Sequence, residues 1–355
     1  MDGFAHAALI VDSDDTVERL LVPVVRRHVA AAEPVLLVVG PHTERALRGG
    51  LGPAADAVEW GGPEAFYQRL GFAFSAFGRY LEEQRAHGRT VHVIAEPDVT
   101  TAPDAPVDRT AAYLSYEAVC NDVYARYGCP ITCVWDSRRH PTLVIEGVRS
   151  IHDHELTVRG NQANGGFIPA GQYLRGRADV AMSPEPDVSD LDGAVRSLDD
   201  LAVCRLSIRG WAIGHGFADF AAEQVTAAVN EAVANGLCHG RPPVRTRAWR
   251  HDDTLVVQVD DDGGRPIPAD AGYRPPSRPG GGLGMWVARQ CADVVLTRTV
   301  AGRTSVRLYF PYTVTHRMLD TRPAAGWYCN GGQVAGGARG EPWAPPAAGR
   351  SHGPG

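Results

Sequence analysis

Two kinds of apolar pattern divide the chain. Ala7 to Val11, Val35 to Val39, Thr90 to Ile94 and Ile131 to Trp135 are short aliphatic runs, continuous enough to predict strands covered on both faces. Between the first two, Val17, Leu20, Leu21, Val24, Val25 and Val29 recur at helical spacing. Pro23 falls inside that pattern, so it belongs to an early turn or kinks the helix. Thr43 to Arg48 predicts another helix. Phe66, Leu70, Phe74, Phe77 and Leu81 lay an aromatic-rich stripe along residues 63–87, and residues 109–127 read as a helix that ends before Pro130. The run Phe72, Phe74, Phe77, Tyr80 reads as core or dimer packing. Alternating strand and helix at this spacing predicts an α/β sheet domain over residues 1–157.

Periodicity is lost over residues 158–193, where Asn164, Gly165, Gly166 and Pro169 interrupt it and Pro184 to Asp192 is acidic. This stretch reads as a linker with room for a short hairpin. A second domain is expected over 194–312. It holds helices at 198–211 and 217–237 and strands at 244–250 and 254–260 around His251-Asp252-Asp253. A proline-rich loop at 267–280, a helix at 282–291 and two closing strands at 293–299 and 304–310 follow. Residues 317–355, rich in Gly, Pro and Ala, read as a disordered tail.

Composition removes several designs. Among the 355 residues every basic side chain is Arg, with no Lys. A Walker-A loop, an ordinary protein-kinase strand lysine and Schiff-base chemistry are therefore excluded. The formal net charge of -6 argues against direct nucleic-acid binding. The seven cysteines form no Cys-x-x-Cys pair, and no signal peptide or 18-residue apolar run occurs, which reads as a reduced, cytoplasmic chain away from the membrane. Cys129 and Cys133 are weighed as a metal or redox pair, but no second ligand pair lies near them in sequence.

The candidate chemistry lies in the second half. Glu231 and Asn235, four apart on a predicted helix, emerge on one face. Asn235 offers an oxygen for Mg²⁺, which keeps several of its waters. Glu231 is placed to orient or deprotonate a hydroxyl that attacks a γ-phosphate. Asp261 ends a strand and can accept from the exocyclic amine of adenine, and Gly263 lets the backbone approach the ring. Gly281, Gly282 and Gly284, with Leu283, open a helix whose backbone N–H groups suit phosphates. In the first half, His6, Glu96, Glu117 and Asp136 fall near element ends, as a sensory pocket or as structural ion pairs.

These residues resemble a known family. Asn230-Glu-Ala-Val-Ala-Asn235 with His239-Gly240 looks like the N box of GHKL-type ATPases, and of the bacterial anti-sigma factor serine kinases within them. Asp261-Asp-Gly-Gly264 resembles the first glycine box, although Arg265 stands where a glycine is usual; Gly281-Gly-Leu-Gly284 resembles the second. Thr304-Ser-Val-Arg-Leu308 resembles the last strand, whose Thr assists adenine recognition in the family. By that resemblance Glu231 is the catalytic base, Asn235 the Mg²⁺ ligand and Asp261 the adenine reader. The implied fold is a GHKL α/β sandwich, a mixed sheet backed by helices. No His occurs in residues 170–205, which argues against a histidine kinase with its own phosphoacceptor helix. His6 to Asp15, Val91 to Pro97, Tyr116-Glu117 and Cys133 to Asp136 resemble the MEDS sensory domain, which implies a RecA-like sheet without a phosphate loop and a sensing role.

The expectation is an ATP- and Mg²⁺-dependent serine/threonine kinase of the anti-sigma type. Its implied partners are an anti-sigma factor antagonist protein and a sigma factor. A homodimer and a small-molecule signal at the first domain stay open. Two rival readings stand beside it: a non-catalytic ATP-binding sigma regulator, and a ligand-sensing transcriptional regulator, for which no helix-turn-helix is visible.

Overall fold

The computed structural model describes residues 4–67, 69–99, 104–176, 181–275 and 282–314. The N-terminal sheet contains β1 (His6–Val11), β2 (Val35–Val38), β3 (Glu59–Trp60), β4 (His92–Ala95), β5 (Ile131–Asp136), β6 (His154–Thr157) and β7 (Gly160–Ala163). Its order is β3-β2-β4-β5-β1-β6-β7, parallel throughout except for the β6–β7 hairpin. The aliphatic runs are continuous because the two faces meet different cores. Ala8, Leu36, Val38, Val93, Cys133 and Trp135 enter one, while Leu9, Val11, Leu37, Ile94 and Val134 enter the other.

Helix α1 (Asp14–Thr16) runs through a π-helical turn, Val17–Leu21, into α2 (Val22–Ala30). Pro23 sits in the first turn of α2, where its missing N–H lies at the wide turn and leaves no gap in a regular ladder. α3 (Pro41–Leu51), α4 (Pro63–Phe66), α5 (Leu70–Ala86), α6 (Arg109–Tyr124) and α7 (Thr142–Ile151) complete the layers. Phe74, Phe77 and Tyr80 of α5 are buried, the core half of the expectation for that run.

Residues 158–193 carry more order than a linker. α8 (Ala170–Gly176) buries Ala170 and Leu174 in the core shared with α6, and β8 (Leu191–Val195) already belongs to the second sheet. The acidic stretch between them is held by arginines of that sheet. Arg247 meets Glu185 (2.5 Å) and the Pro186 carbonyl (2.9 Å), and Arg307 donates to the Ser183 carbonyl (2.6 Å). Its charge serves docking onto that sheet.

The second sheet has the order β11-β12-β10-β9-β8. Its members are β8, β9 (Val244–His251), β10 (Thr254–Asp261), β11 (Val294–Val300) and β12 (Arg303–Pro311), with α9 (Leu198–Gly214), α10 (Asp219–His239) and α11 (Leu283–Cys291) between them. Every pair of neighbouring strands is antiparallel, which corrects the mixed sheet expected. The one-helix crossover through α11 does bring β11 back in the direction of β10. Its hairpin partner β12 then inserts between them, so no parallel pair forms. Leu255, Val257, Val259, Val306, Leu308 and Phe310 pack beneath the helices. The other face carries Gln258, Asp260, Ser305 and Arg307, and its Trp249, Val256 and Tyr309 join a core of the first domain.

Candidate functional site

Helix α10 carries Glu231 and Asn235 one turn apart, half-buried, with Val225, Val229, Ala232 and Val233 fixing its inner face. The N-terminal turn of α11 seats against both. A Cβ added to Gly284 would stand 2.8 Å from Glu231 Oε2 and 3.1 Å from Asn235 Nδ2. Thus the acid, the amide and a glycine from a separate segment share one spot. Gly282 caps α11 in the left-handed region (φ 76°) with open space around it, and Leu283 beside it is exposed. Gly281 lies outside the described residues.

Five residues past Asn235, about 7.5 Å along the helix axis, α10 ends at Gly240. That backbone crosses the carboxylate of Asp261, the buried last residue of β10. A Cβ on Gly240 would fall 2.2 Å from Asp261 Oδ1, and one on Gly263 would fall 2.7 Å from Gly240 Cα. Asp261 Oδ1 accepts from the Gly263 N–H (2.8 Å). Thr304 lies opposite Asp261 in the β10–β12 register, and its hydroxyl donates to the Arg265 carbonyl (3.0 Å). Arg265 therefore leaves the turn intact: the positive φ falls on Gly264 (63°), and position 265 contributes only its carbonyl. Asn230 has a place in the N box of the sequence but no role there; its Nδ2 donates to Glu231 Oε1 (3.2 Å), and its Oδ1 is buried with no partner among the described residues.

In the first domain the four acids and bases separate. Glu96 accepts from the Gly40 N–H (2.9 Å) at the start of α3, so its carboxylate sits at the positive end of that helix. Asp136 pairs with Arg138 (2.7 Å). His6 and Glu117 instead meet Cys133 and His152 in a buried cluster. Cys133 does not pair with Cys129, which accepts from the Val91 N–H (3.5 Å). Burial, then the facing His152, lowers His6 to about 3, so its imidazole is neutral. Burial works to raise the Glu117 carboxyl, but the facing His152 outweighs it and brings it down to about 2. Burial and the Glu117 charge push the Cys133 thiol well up.

The two domains touch through α5, α6 and α11. Arg109 makes a two-pronged pair with the buried Asp293 (2.7 and 3.2 Å), whose carboxylate also accepts from the Leu70 N–H (3.3 Å). Arg69 donates to the Cys291 carbonyl (3.0 Å) and Gln290 to the Gly71 carbonyl (3.1 Å). Tyr116, the neighbour of Glu117, packs edge-on against Tyr273 at 4.7 Å, and Arg289 of α11 covers the same Tyr273 ring at 3.8 Å.

A parallel-sheet domain with a buried polar cluster thus stands in front of an antiparallel sheet whose helices gather an acid, an amide and a glycine-led helix start. Residues 5–153 match the MEDS family, the MEthanogen/methylotroph, DcmR Sensory domain. Residues 195–310 match the histidine kinase-like ATPase domain. The chain is a MEDS sensory domain followed by a GHKL-like ATPase domain. No curated protein matches it significantly. Among the described residues, no helix is long and apolar enough to cross a membrane.

Proposed function

We propose that the second domain binds Mg·ATP and transfers its γ-phosphoryl group to a serine or threonine hydroxyl of a small partner, an anti-sigma factor antagonist, in the cytoplasm. The observation that carries this reading is the seating of Gly284 against Glu231 and Asn235. The residues present fit the substrate and its ion. Glu231 Oε2 and, 3.4 Å from the same Cβ position on Gly284, Asn235 Oδ1 are oxygens of the kind magnesium prefers, and the glycines around Asp261 keep its cradle free of side chains. Bound there, magnesium would neutralise phosphate charge, with Asn235 supplying the protein oxygen.

Each remaining role falls to a residue of the chain. Asp261 Oδ2, which takes no hydrogen bond from the described residues, accepts from the exocyclic amine of adenine. Thr304 fixes the start of the loop that follows Gly264. The backbone N–H groups of Gly282, Leu283 and Gly284 face the phosphates at the positive end of α11, the role the sequence also gives to Gly281. Asn230 orients Glu231, which takes the proton of the attacking hydroxyl as the new P–O bond forms and ADP leaves. The added charge on the partner then alters its affinity for the kinase domain, which frees that domain for a sigma factor. The MEDS domain modulates this cycle through Tyr116, Tyr273 and α11.

The test is incubation of the full chain with γ-labelled ATP, Mg²⁺ and a candidate antagonist. Label is expected on the partner, with the rate falling about 10²–10⁴-fold in Glu231→Gln while ATP still binds. Tight ATP binding with no transfer by wild type would replace the kinase with a nucleotide-gated binding protein.

A further inference from the structure

Four side chains from four places in the MEDS domain turn donor atoms to one buried spot. His6 opens β1, Glu117 lies on α6, Cys133 on β5, and His152 directly follows α7. One donor atom from each lies within 4.8 Å of all the others, and all four residues are buried. His6 Nε2 stands 3.3 Å from Cys133 Sγ and 3.8 Å from Glu117 Oε1, and His152 Nε2 stands 3.3 Å from the same Oε1. Tetrahedral ligands about 2.0–2.3 Å from a zinc ion stand roughly 3.3–3.8 Å apart.

Hydrogen bonds outside the cluster aim both imidazoles. Asn121 Nδ2 donates to the carbonyls of Ala118 (3.1 Å) and Ile151 (2.7 Å), which leaves its Oδ1 to accept from His6 Nδ1 (3.2 Å). His152 Nδ1 donates to the Val148 carbonyl (2.7 Å). Each ring therefore uses its Nδ1–H outward and presents Nε2 inward, the outer-shell arrangement of metal-bound histidines. Inside, Glu117 Oε1 and His152 Nε2 are enclosed and face each other at 3.3 Å, but neither makes a hydrogen bond of good geometry with the described residues. A buried carboxylate left in that state is costly unless a cation completes the site.

We propose that His6, Glu117, Cys133 and His152 bind one divalent transition-metal ion, of which zinc best suits two imidazoles, a thiolate and a carboxylate. The thiolate and carboxylate together offset the two positive charges, so the loaded site is neutral within its apolar surroundings. Binding breaks the S–H bond of Cys133, whose proton leaves to solvent while sulfur keeps the electron pair for the metal. A cavity of about 20 Å³ adjoins the site, lined by Tyr67, Tyr113 and Phe77 besides three of the ligands.

Elemental analysis of the full-length protein after purification with zinc, and the absorption spectrum after cobalt replaces that zinc, test the site. One equivalent per chain is expected, with a thiolate-to-cobalt charge-transfer band and the visible bands of tetrahedral cobalt. Cys133→Ser should abolish the charge-transfer band. Asn121→Ala keeps all four ligands and should weaken metal affinity about 10–100-fold. Cys238→Ser, at an exposed thiol, should change neither the spectrum nor the affinity. The wild-type spectrum stands even if a variant misfolds. Uptake below a tenth of an equivalent with no cobalt band, or a charge-transfer band that survives Cys133→Ser, overturns the proposal.

Discussion

Gly240 has no room for a methyl group, because its Cβ would lie 2.2 Å from a carboxylate oxygen of Asp261. The collision involves a buried side chain at a strand end, so neither partner can move far. Gly240→Ala is therefore expected to cost about 1–3 kcal/mol of stability, read from chemical denaturation, and to weaken ATP binding. Asp261→Asn tests the adenine contact without adding bulk. Replacing the charged acceptor should weaken ATP binding by about 1.5–3 kcal/mol, while inorganic triphosphate, which lacks the base, should bind both proteins alike. Glu231, Asn235 and Asp261 were legible in the sequence for a simple reason. A spacing of four on an apolar-striped helix fixes two of them on one face, and an acid closing an alternating strand fixes the third. His152 and Asn121 were not legible. Their partners come from β1, α6 and β5, over a hundred residues away in part, and no local period reports such a meeting. Cys133 drew attention to Cys129 because they are neighbours in sequence, yet across the parallel β1–β5 pair it faces His6 at 3.3 Å.

At the level of elements, α10 and α11 explain why three chain segments meet. α10 holds Glu231 and Asn235 in its last turns and delivers Gly240 to the end of β10, while α11 begins against the same turns. Strands, helices and their order were readable because alternation and helical spacing survive in short windows. The antiparallel pairing of the second sheet was not, since the insertion of β12 between β10 and β11 leaves no mark on either strand's own pattern. Helix α5 meets α11 so closely that Gly71 has no space for a side chain, with the Arg289 carbonyl 2.1 Å from the position of its Cβ. Gly71→Val should push these helices apart. Its expected signature is earlier proteolysis between the domains and a change in nucleotide turnover, with the N-terminal sheet itself intact by circular dichroism.

The whole molecule is held together by charge as well as by apolar contact. Asp293 is almost fully enclosed and its principal cationic partner, Arg109, comes from the other domain. Removing that partner leaves a buried carboxylate uncompensated, so Arg109→Ala should destabilise the protein by about 3–5 kcal/mol. Calorimetry should then separate one thermal transition into two. The same face carries the route from sensor to ATPase, because Tyr116 lies beside Glu117 in sequence and against Tyr273 in space. The expected tail from residue 317 onward lies outside the described residues.

The central claim is that α10, the end of β10 and the start of α11 form one magnesium-nucleotide pocket. Calorimetric titration of the full chain with a non-hydrolysable ATP analogue, with and without Mg²⁺, tests it most directly, run beside Asn235→Ala. One saturable site per chain is expected, tightened by Mg²⁺ in the wild type and insensitive to Mg²⁺ in the variant. No saturable binding by the wild type, or the same Mg²⁺ response in both proteins, would contradict the account.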